Sequence, residues 1–538
     1  MMRRGGRGSI VQSPRRGHDG AIPSALHLDR GWGARNYVKI IVLAVCSIAI
    51  SIIFWSLRSP GLLQEPHVLG HYLRPRNSGF VFPLYRYYQQ YPNASHRAGG
   101  HERWRGSRVG FHGRGILSDE SEPLFELLGG HRRNTLFIEQ FYIEMKLGDP
   151  PKPFYFHIDT GSGRMWVYCT LRGHQSTLSS FGPNGLFVTE ADSHLKCIGA
   201  TASLCRAFQA KDEVCDKKYQ YVCFFSRSYA EGSTFSGYVV NGSITLPMCD
   251  ETERNVFGLF GCVVHTGFKV PIILQPLTDG IIGLGNCKGT LMDQLFESNA
   301  ISQNLLGVCM AKGTQLSMLP ASPRAPVGYI SLGMDFKEKF NQHKSDWVKL
   351  IDPGIGVRCA YAAKLLYISL HGRKITITSM FLGHETAGMA MLFDTGSDLT
   401  YLPKDLYGQV LNELDTFASD RAYFRVPDNT IYSQSEQRVC WKPPATKLSK
   451  SSPIYDFGPL KLGFEGMSCA TKYLIIRPVN YLTWDENERK VCVNILIDPV
   501  VGGHPVSNLG AEVMRENLFV FDVENQRVRW TASSNCEI

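Results

Sequence analysis

Two aspartates of this 538-residue chain sit in matching settings, one in each half. Asp159 stands in FHIDTGSGRMWV (Phe156 to Val167) and Asp394 in MLFDTGSDLTYL (Met391 to Leu402), each within Asp-Thr-Gly-Ser behind an apolar run. At average residue frequencies one such tetrapeptide arises by chance in about one chain in a hundred of this length, and two in roughly one in ten thousand. A single copy reads as a β-turn, because Asp, Gly and Ser are turn formers; one copy per half reads as a repeated functional unit. Two carboxyls brought together from matching turns cannot both ionise easily, so they share one proton. One then acts as a base and the other as an acid, which suits activation of water against a peptide carbonyl with no metal, cofactor or covalent intermediate. The neighbours fit that work: Gly161 and Gly396 allow close backbone approach. The hydroxyls of Thr160, Ser162, Thr395 and Ser397 can orient the carboxylates.

The elements that must position these residues read as strands. Short alternating or apolar runs bounded by Gly, Pro and Asp occur at Leu136 to Leu147, Phe154 to Ile158, Met165 to Tyr168, Gly237 to Leu246, Val256 to Val264 and Tyr329 to Leu332. The same texture returns after about residue 345, at Leu365 to Leu370, Lys374 to Thr378, Ala390 to Phe393, Val491 to Ile497 and Leu518 to Asp522, with a helical stretch at Lys404 to Leu414. The expected fold is mainly β in two halves, divided at 135–345 and 346–538. His157, two residues before Asp159, alternates onto the same side of its strand and is expected to pack at the cleft edge.

Charge and cysteine placement organise the rest. Residues 1–134 hold 19 Lys/Arg against 8 Asp/Glu, leaving 38 against 40 beyond them, so the folded body is near neutral and no nucleic-acid face is expected. Ile40 to Leu57 is an uncharged run of 18 residues that reads as a transmembrane helix, and the basic tail 1–39 puts the N-terminus in the cytosol. The expected protein is thus a single-pass type II membrane protein of the secretory pathway, tethered through 40–57, with a stalk or propeptide-like linker at 58–134. One cysteine, Cys46, falls in the span and fourteen lie downstream, an even number that suits up to seven disulfides in an oxidising compartment. No Cys-x2-Cys pair suggests zinc, and no metal site is expected. Asn93-Ala-Ser and Asn241-Gly-Ser are glycosylation acceptors. Other catalytic signatures fail: His384-Glu385 lacks a second His, Gly283-Leu-Gly285 meets Lys288 where a dinucleotide loop needs its third Gly, and no Gly-x-Ser-x-Gly surrounds Ser162.

At the two Asp-Thr-Gly-Ser turns the chain resembles the pepsin-like aspartic proteases over about residues 136 to 538. Trp166 falls at that family's Trp position and Tyr229, in SYAEGSTFSGYVV, at its flap tyrosine over the cleft. Ile281-Ile282-Gly283 and Asn508-Leu509-Gly510 match the segments that follow each Asp turn, with Asn508 and Ala511 in place of the usual apolar residue and Asp. A narrower resemblance is to the plant nucellin-like or atypical aspartic proteases, through the cysteine-rich insert between Asp159 and Tyr229, Val439-Cys440-Trp441-Lys442, and Pro478 to Leu482. Membrane-tethered apicomplexan export proteases share the cysteine-rich insert and the flap segment. The resemblance implies a bilobal fold and a monomeric aspartic endopeptidase acting on protein or peptide substrates, with Asp159 and Asp394 as the catalytic pair. The alternative is a catalytically silent bilobal protein that binds a peptide, a glycan or an inhibitor target in the same cleft.

Overall fold

Strands dominate, as the alternation requires. The structure, a computed structural model, describes the backbone of 80–83 and 85–88 and most of 139–536; the segments 171–181, 190–194, 198–204, 206–222, 230–231, 249–251, 268–277, 312–326, 341–346, 353–358, 378–387, 428–437, 448–452, 469, 486–487, 499, 502–503 and 506 are not among the described residues. The expected membrane span 40–57, the tail 1–39, Asn93 and most of the linker 58–134 lie outside them. Among the described residues no helix is long and apolar enough to cross a membrane.

Two lobes flank a shared sheet. The first lobe is a ten-stranded sheet that runs Tyr85–Tyr88, Glu139–Leu147, Lys152–Asp159, Gly280–Gly283, Trp166–Thr170, Glu253–Gly267, Thr234–Pro247 and Lys196–Cys197, with Phe187–Val188 and Phe224–Ser228 paired off that path. In the second lobe the order is Thr471–Ile476, Leu460–Glu465, Tyr361–Leu370, Met389–Phe393, Asn508–Leu509, Thr400–Leu402 and Ile495–Ile497, with Arg373–Thr376 beside Tyr361–Leu370. A six-stranded sheet draws on both halves, since Leu305–Met310 pairs antiparallel with Asn517–Asp522 from Leu305↔Asp522 to Cys309↔Leu518. Within the linker, Phe80–Pro83 extends that shared sheet (Phe80↔Leu332) and Tyr85–Tyr88 extends the first lobe's (Tyr85↔Tyr142).

The strand that carries Asp159 shows how the pattern sets its position. Phe154, Phe156 and Ile158 alternate into the core with no exposed surface, which puts Tyr155, His157 and Asp159 on the opposite side. Each aspartate then emerges where its strand ends, beside a parallel partner: Gly283 registers with Asp159, and Leu509 with Phe393. Those partners are the Ile281–Gly283 and Asn508–Leu509 segments singled out in the sequence. Each is also paired antiparallel to the strand after its turn, Ile281 to Trp166 and Asn508 to Tyr401. The helical stretch extends to Lys404–Ser419. The run Val491 to Ile497 is broken at Asn494 into Lys490–Val493 and Ile495–Ile497, which belong to different sheets. The Asn494 side chain holds the break by accepting hydrogen bonds from Arg438 Nη1 and Thr483 Oγ1, both 3.0 Å.

Among the described residues five disulfides are formed: Cys169–Cys262, Cys205–Cys223, Cys287–Cys359, Cys309–Cys536 and Cys440–Cys492. They fit a secretory or extracellular setting, because such bonds persist only where the surroundings are oxidising. Asn241 lies mid-strand in Thr234–Pro247, half-buried, with Ser243 of its acceptor triplet buried beside it.

Candidate functional site

The two Asp-Thr-Gly-Ser turns meet through their threonines. Thr160 Oγ1 donates to the Phe393 carbonyl at 2.8 Å and accepts from the Thr395 N–H at 2.9 Å. In mirror fashion Thr395 Oγ1 donates to the Ile158 carbonyl and accepts from the Thr160 N–H, both at 3.1 Å. Both hydroxyls are fully buried. Four crossed bonds therefore fix one turn against the other, and each runs to the backbone beside an aspartate.

The glycines bring the carboxyls together. Gly161 N–H donates to Asp159 Oδ1 at 2.8 Å and Gly396 N–H to Asp394 Oδ1 at 2.9 Å. A Cβ on Gly161 would lie 2.6 Å from Asp394 Oδ1, and one on Gly396 2.5 Å from Asp159 Oδ1. Each glycine thus packs on the carboxyl of the opposite turn, where any side chain would push the pair apart.

Burial raises the pKa of both carboxyls. Asp159 goes to about 7, through loss of hydration and then the facing Asp394 charge, with the Ser162 hydroxyl and the Gly161 N–H pulling the other way. Asp394 is also raised by burial, but the Asn508 amide, the Gly396 N–H, Asp159 and the Ser397 N–H favour its charged form. The pair therefore holds one proton between its members up to near neutrality, and the donors on Asp394 favour charge on its side. His157 is buried, with Nε2 unpartnered among the described residues, and burial holds it neutral with a pKa near 4.

Asn508 is the contributor that sequence reasoning missed. Its Nδ2 donates to Asp394 Oδ2 at 3.1 Å, while its Oδ1 accepts the Tyr401 N–H at 3.2 Å, which fixes which end of the amide faces the carboxylate. The Ser397 hydroxyl donates instead to the Leu399 carbonyl at 3.1 Å. The only available signal was the polar residue in an otherwise apolar segment. Replacing Asn508 by Leu is expected to cost about 1–3 kcal/mol at pH 8, because a buried carboxylate oxygen and the Tyr401 N–H lose their partner. The loss should shrink at pH 3, below the ordinary carboxylate value that burial raises further. Thermal melts at both pH values check this, and an equal loss at each would mean that the amide does not serve the charge.

In the lobe that carries Asp159, Trp166 and Tyr229 are joined directly. Trp166 Nε1 donates to Tyr229 Oη at 2.8 Å, and Phe235 stacks on the indole at 4.5 Å between centroids. Tyr229 closes the hairpin Phe224–Ser228/Thr234–Pro247, with its N–H on the Ser233 carbonyl at 2.9 Å. The aromatic contacts fasten this hairpin to the lobe that carries Asp159.

These features define a two-lobed, pepsin-like protein with one carboxyl contributed by each lobe. Comparison with known proteins narrows the class. Residues 141–333 match the family described as Xylanase inhibitor N-terminal and residues 360–532 the one described as Xylanase inhibitor C-terminal; the chain belongs to this pepsin-like and xylanase-inhibitor superfamily. Among curated proteins it is similar to an aspartic proteinase of Oryza sativa subsp. indica, 25% identical over 422 residues that cover 77% of this chain and 92% of that one. Aspartic proteinase 36 of Arabidopsis thaliana is 24% identical over 416 residues, 76% of each chain, and nepenthesin-2 of Nepenthes gracilis 23% over 330 residues, 60% of this chain and 66% of that one. The crystal structure of Basic 7S globulin from soybean shares the fold, with a TM-score of 0.52 and 16% identity over 73% of this chain and 93% of that one.

The family match corrects the expectation of an active aspartic endopeptidase. Both lobes match xylanase inhibitor domains, so the expectation of a proteolytic hydrolase gives way to the non-catalytic alternative. One objection to a binding role is that a binding-only cleft has no need of two buried carboxyls. The geometry removes its force, because donors from the turns and from Asn508 offset the burial of both groups, and the threonines beside them hold the lobes together. The motif thus has a structural role whether or not water is activated.

Proposed function

We propose that the chain is a catalytically silent, inhibitor-type binding protein of the secretory pathway, whose cleft receives an extended segment of a protein partner. The observation that carries this reading is the Asn508 amide on Asp394 Oδ2: a neutral donor stabilises the charge on that carboxyl and takes up one acceptor position of the pair. What remains is a carboxyl pair that holds one proton, a donor and an acceptor side by side that suit a hydroxyl or backbone amide of an inserted segment. Thr160, Gly161, Ser162, Thr395, Gly396 and Ser397 shape this pair in the proposal, and Tyr229 with Trp166 forms the wall from which the hairpin covers the ligand. The family description names xylanases as a partner class, so a secreted xylanase is one candidate source of the segment. The proposal keeps the type II anchor at 40–57, the lobe boundary near 345 and a monomeric chain.

The test uses the purified full chain with its disulfides intact, incubated with a mixed peptide library and a xylanase panel from pH 3 to 8. Binding by calorimetry with peptides recovered uncut, or inhibition of a xylanase, is the expected result. Cleavage products that disappear in both Asp159→Asn and Asp394→Asn would overturn the proposal.

A further inference from the structure

One of the disulfides among the described residues lies against the turn that carries Asp159. Cys287 follows the strand Gly280–Gly283, whose Gly283 registers with Asp159. Cys359 precedes the strand Tyr361–Leu370, whose Tyr361 registers with Phe393, the residue before Asp394. Their bond therefore ties the strand beside one carboxyl to the strand beside the other, across 72 residues of sequence. Among the described bridges it is the one that joins the two lobe sheets: Cys169–Cys262 lies within the first lobe's sheet, and Cys440–Cys492 spans a four-stranded sheet of the second half.

The bridge also presses on the Asp159 turn itself. A Cβ on Gly163 would stand 2.2 Å from Cys287 Sγ and 3.0 Å from Cys359 Sγ, so the sulfurs pack on the backbone four residues past Asp159. Around them the seam is continuous. Leu284 N–H donates to the Asp159 carbonyl at 2.7 Å, Gly285 N–H to the Ser162 carbonyl at 2.8 Å, and Asn286 N–H to the Cys359 carbonyl at 2.6 Å. Tyr361 Oη then reaches the Leu284 carbonyl at 3.0 Å. Behind the seam the Asn286 and Gln526 amides pair with each other, at 2.9 and 3.1 Å, and so link it to the shared sheet.

We propose that the Cys287–Cys359 disulfide is a positioning element of the cleft: it holds the Asp159 turn in a fixed setting against the second lobe and thereby sets how tightly the two-carboxyl site grips a hydroxyl-bearing peptide. Opening the bridge leaves the crossed threonines and the seam's hydrogen bonds to hold one turn against the other, and lets water reach the pair. The ligand part of this inference rests on the proposed binding function; the positioning part does not.

The test compares the full chain with a Cys287→Ser/Cys359→Ser variant and, as control, a Cys440→Ser/Cys492→Ser variant whose bridge lies in another sheet. A Cys287→Ala/Cys359→Val pair, which refills the space of the sulfurs, accompanies them in case the serine pair does not fold. Two quantities are read: the pH at which thermal stability steps near neutrality, where Asp159 titrates against Asp394 with His157 on the same strand face, and the affinity for pepstatin, a peptide with secondary hydroxyls in its backbone. Loss of the 287–359 bridge should move the step at least one pH unit toward the ordinary carboxyl range and weaken pepstatin at least tenfold, whereas the control should lose stability with its step and affinity unchanged. A step that stays put in the bridge variants, or moves equally in the control, overturns the proposal. If the parent chain does not bind pepstatin, the binding reading fails on that arm and the pH step alone decides the positioning role.

Discussion

Thr395→Val should lower the melting temperature by about 5–10 °C, while Thr395→Ser should lower it by only a degree or two. Valine matches threonine in shape but removes the hydroxyl that accepts the Thr160 N–H and donates to the Ile158 carbonyl. Both backbone groups are then buried without a partner, at about 1–3 kcal/mol each, and for a domain of this size each kcal/mol corresponds to roughly 2 °C. Serine keeps both bonds and gives up a single methyl, about 1 kcal/mol. The same contrast is expected at Thr160, whose hydroxyl bonds the Phe393 carbonyl and the Thr395 N–H. Because the two threonines share one contact region, the double valine variant should cost less than the sum of the singles. Calorimetric melts at one scan rate measure all of this. Valine costing no more than serine would show that the crossed bonds are not what holds the turns together.

That contrast explains how much of the site was legible and how a functional reading went astray. The paired Asp-Thr-Gly-Ser motifs pointed correctly to two turns facing each other, because only the repeated segment carries Asp, Thr and Gly at the spacing that the crossed bonds need. Ile281 to Gly283 and Asn508 to Gly510 were matched to it only through the resemblance to the pepsin-like proteases; their parallel registers with the Asp strands follow in the structure. Trp166 and Tyr229 were both singled out, but their direct hydrogen bond depends on a hairpin that returns the chain 63 residues later. The shared sheet was not legible at all. It pairs strands near residue 308 with strands near residue 519, and local periodicity holds no information about partners so far apart. The cysteine count announced disulfides without connectivity, so the bridge against Gly163 emerged only from the fold. Asn508 was visible as a departure from pattern, but its amide was placed by the Tyr401 backbone, a contact between segments 107 residues apart. The error over catalysis has the same root: the motif joins two lobes through its threonines, and its presence alone does not distinguish chemistry from architecture.

Asp159→Asn is expected to make the protein more stable than the parent above pH 7 and no more stable at pH 4, so that the two stability curves cross. Asp159 titrates near 7 in the folded chain against an ordinary value of 3.8, so folding favours its protonated form. The stability this contributes is fully present below about pH 3.8 and is lost as the pH rises to about 7. Three units correspond to an upper limit of about 4 kcal/mol, divided between the members of a coupled pair, which puts the gain for the variant at pH 8 on the order of 5 °C. Asparagine suits the position because its amide can donate toward Asp394 as the protonated acid does, while its oxygen still accepts the Gly161 N–H. His157 works in the opposite sense: its folded pKa near 4 lies below the ordinary 6.5, so its contribution is present above 6.5 and fades as the pH falls toward 4. The parent's own profile therefore mixes two slopes of opposite sign, and the informative quantity is the difference between variant and parent at each pH, in which the histidine cancels. Melts at half-unit steps from pH 3.5 to 8.5 give that difference directly. A flat difference, or a variant that is the less stable protein at pH 8, would mean that Asp159 is not the group that holds the shared proton.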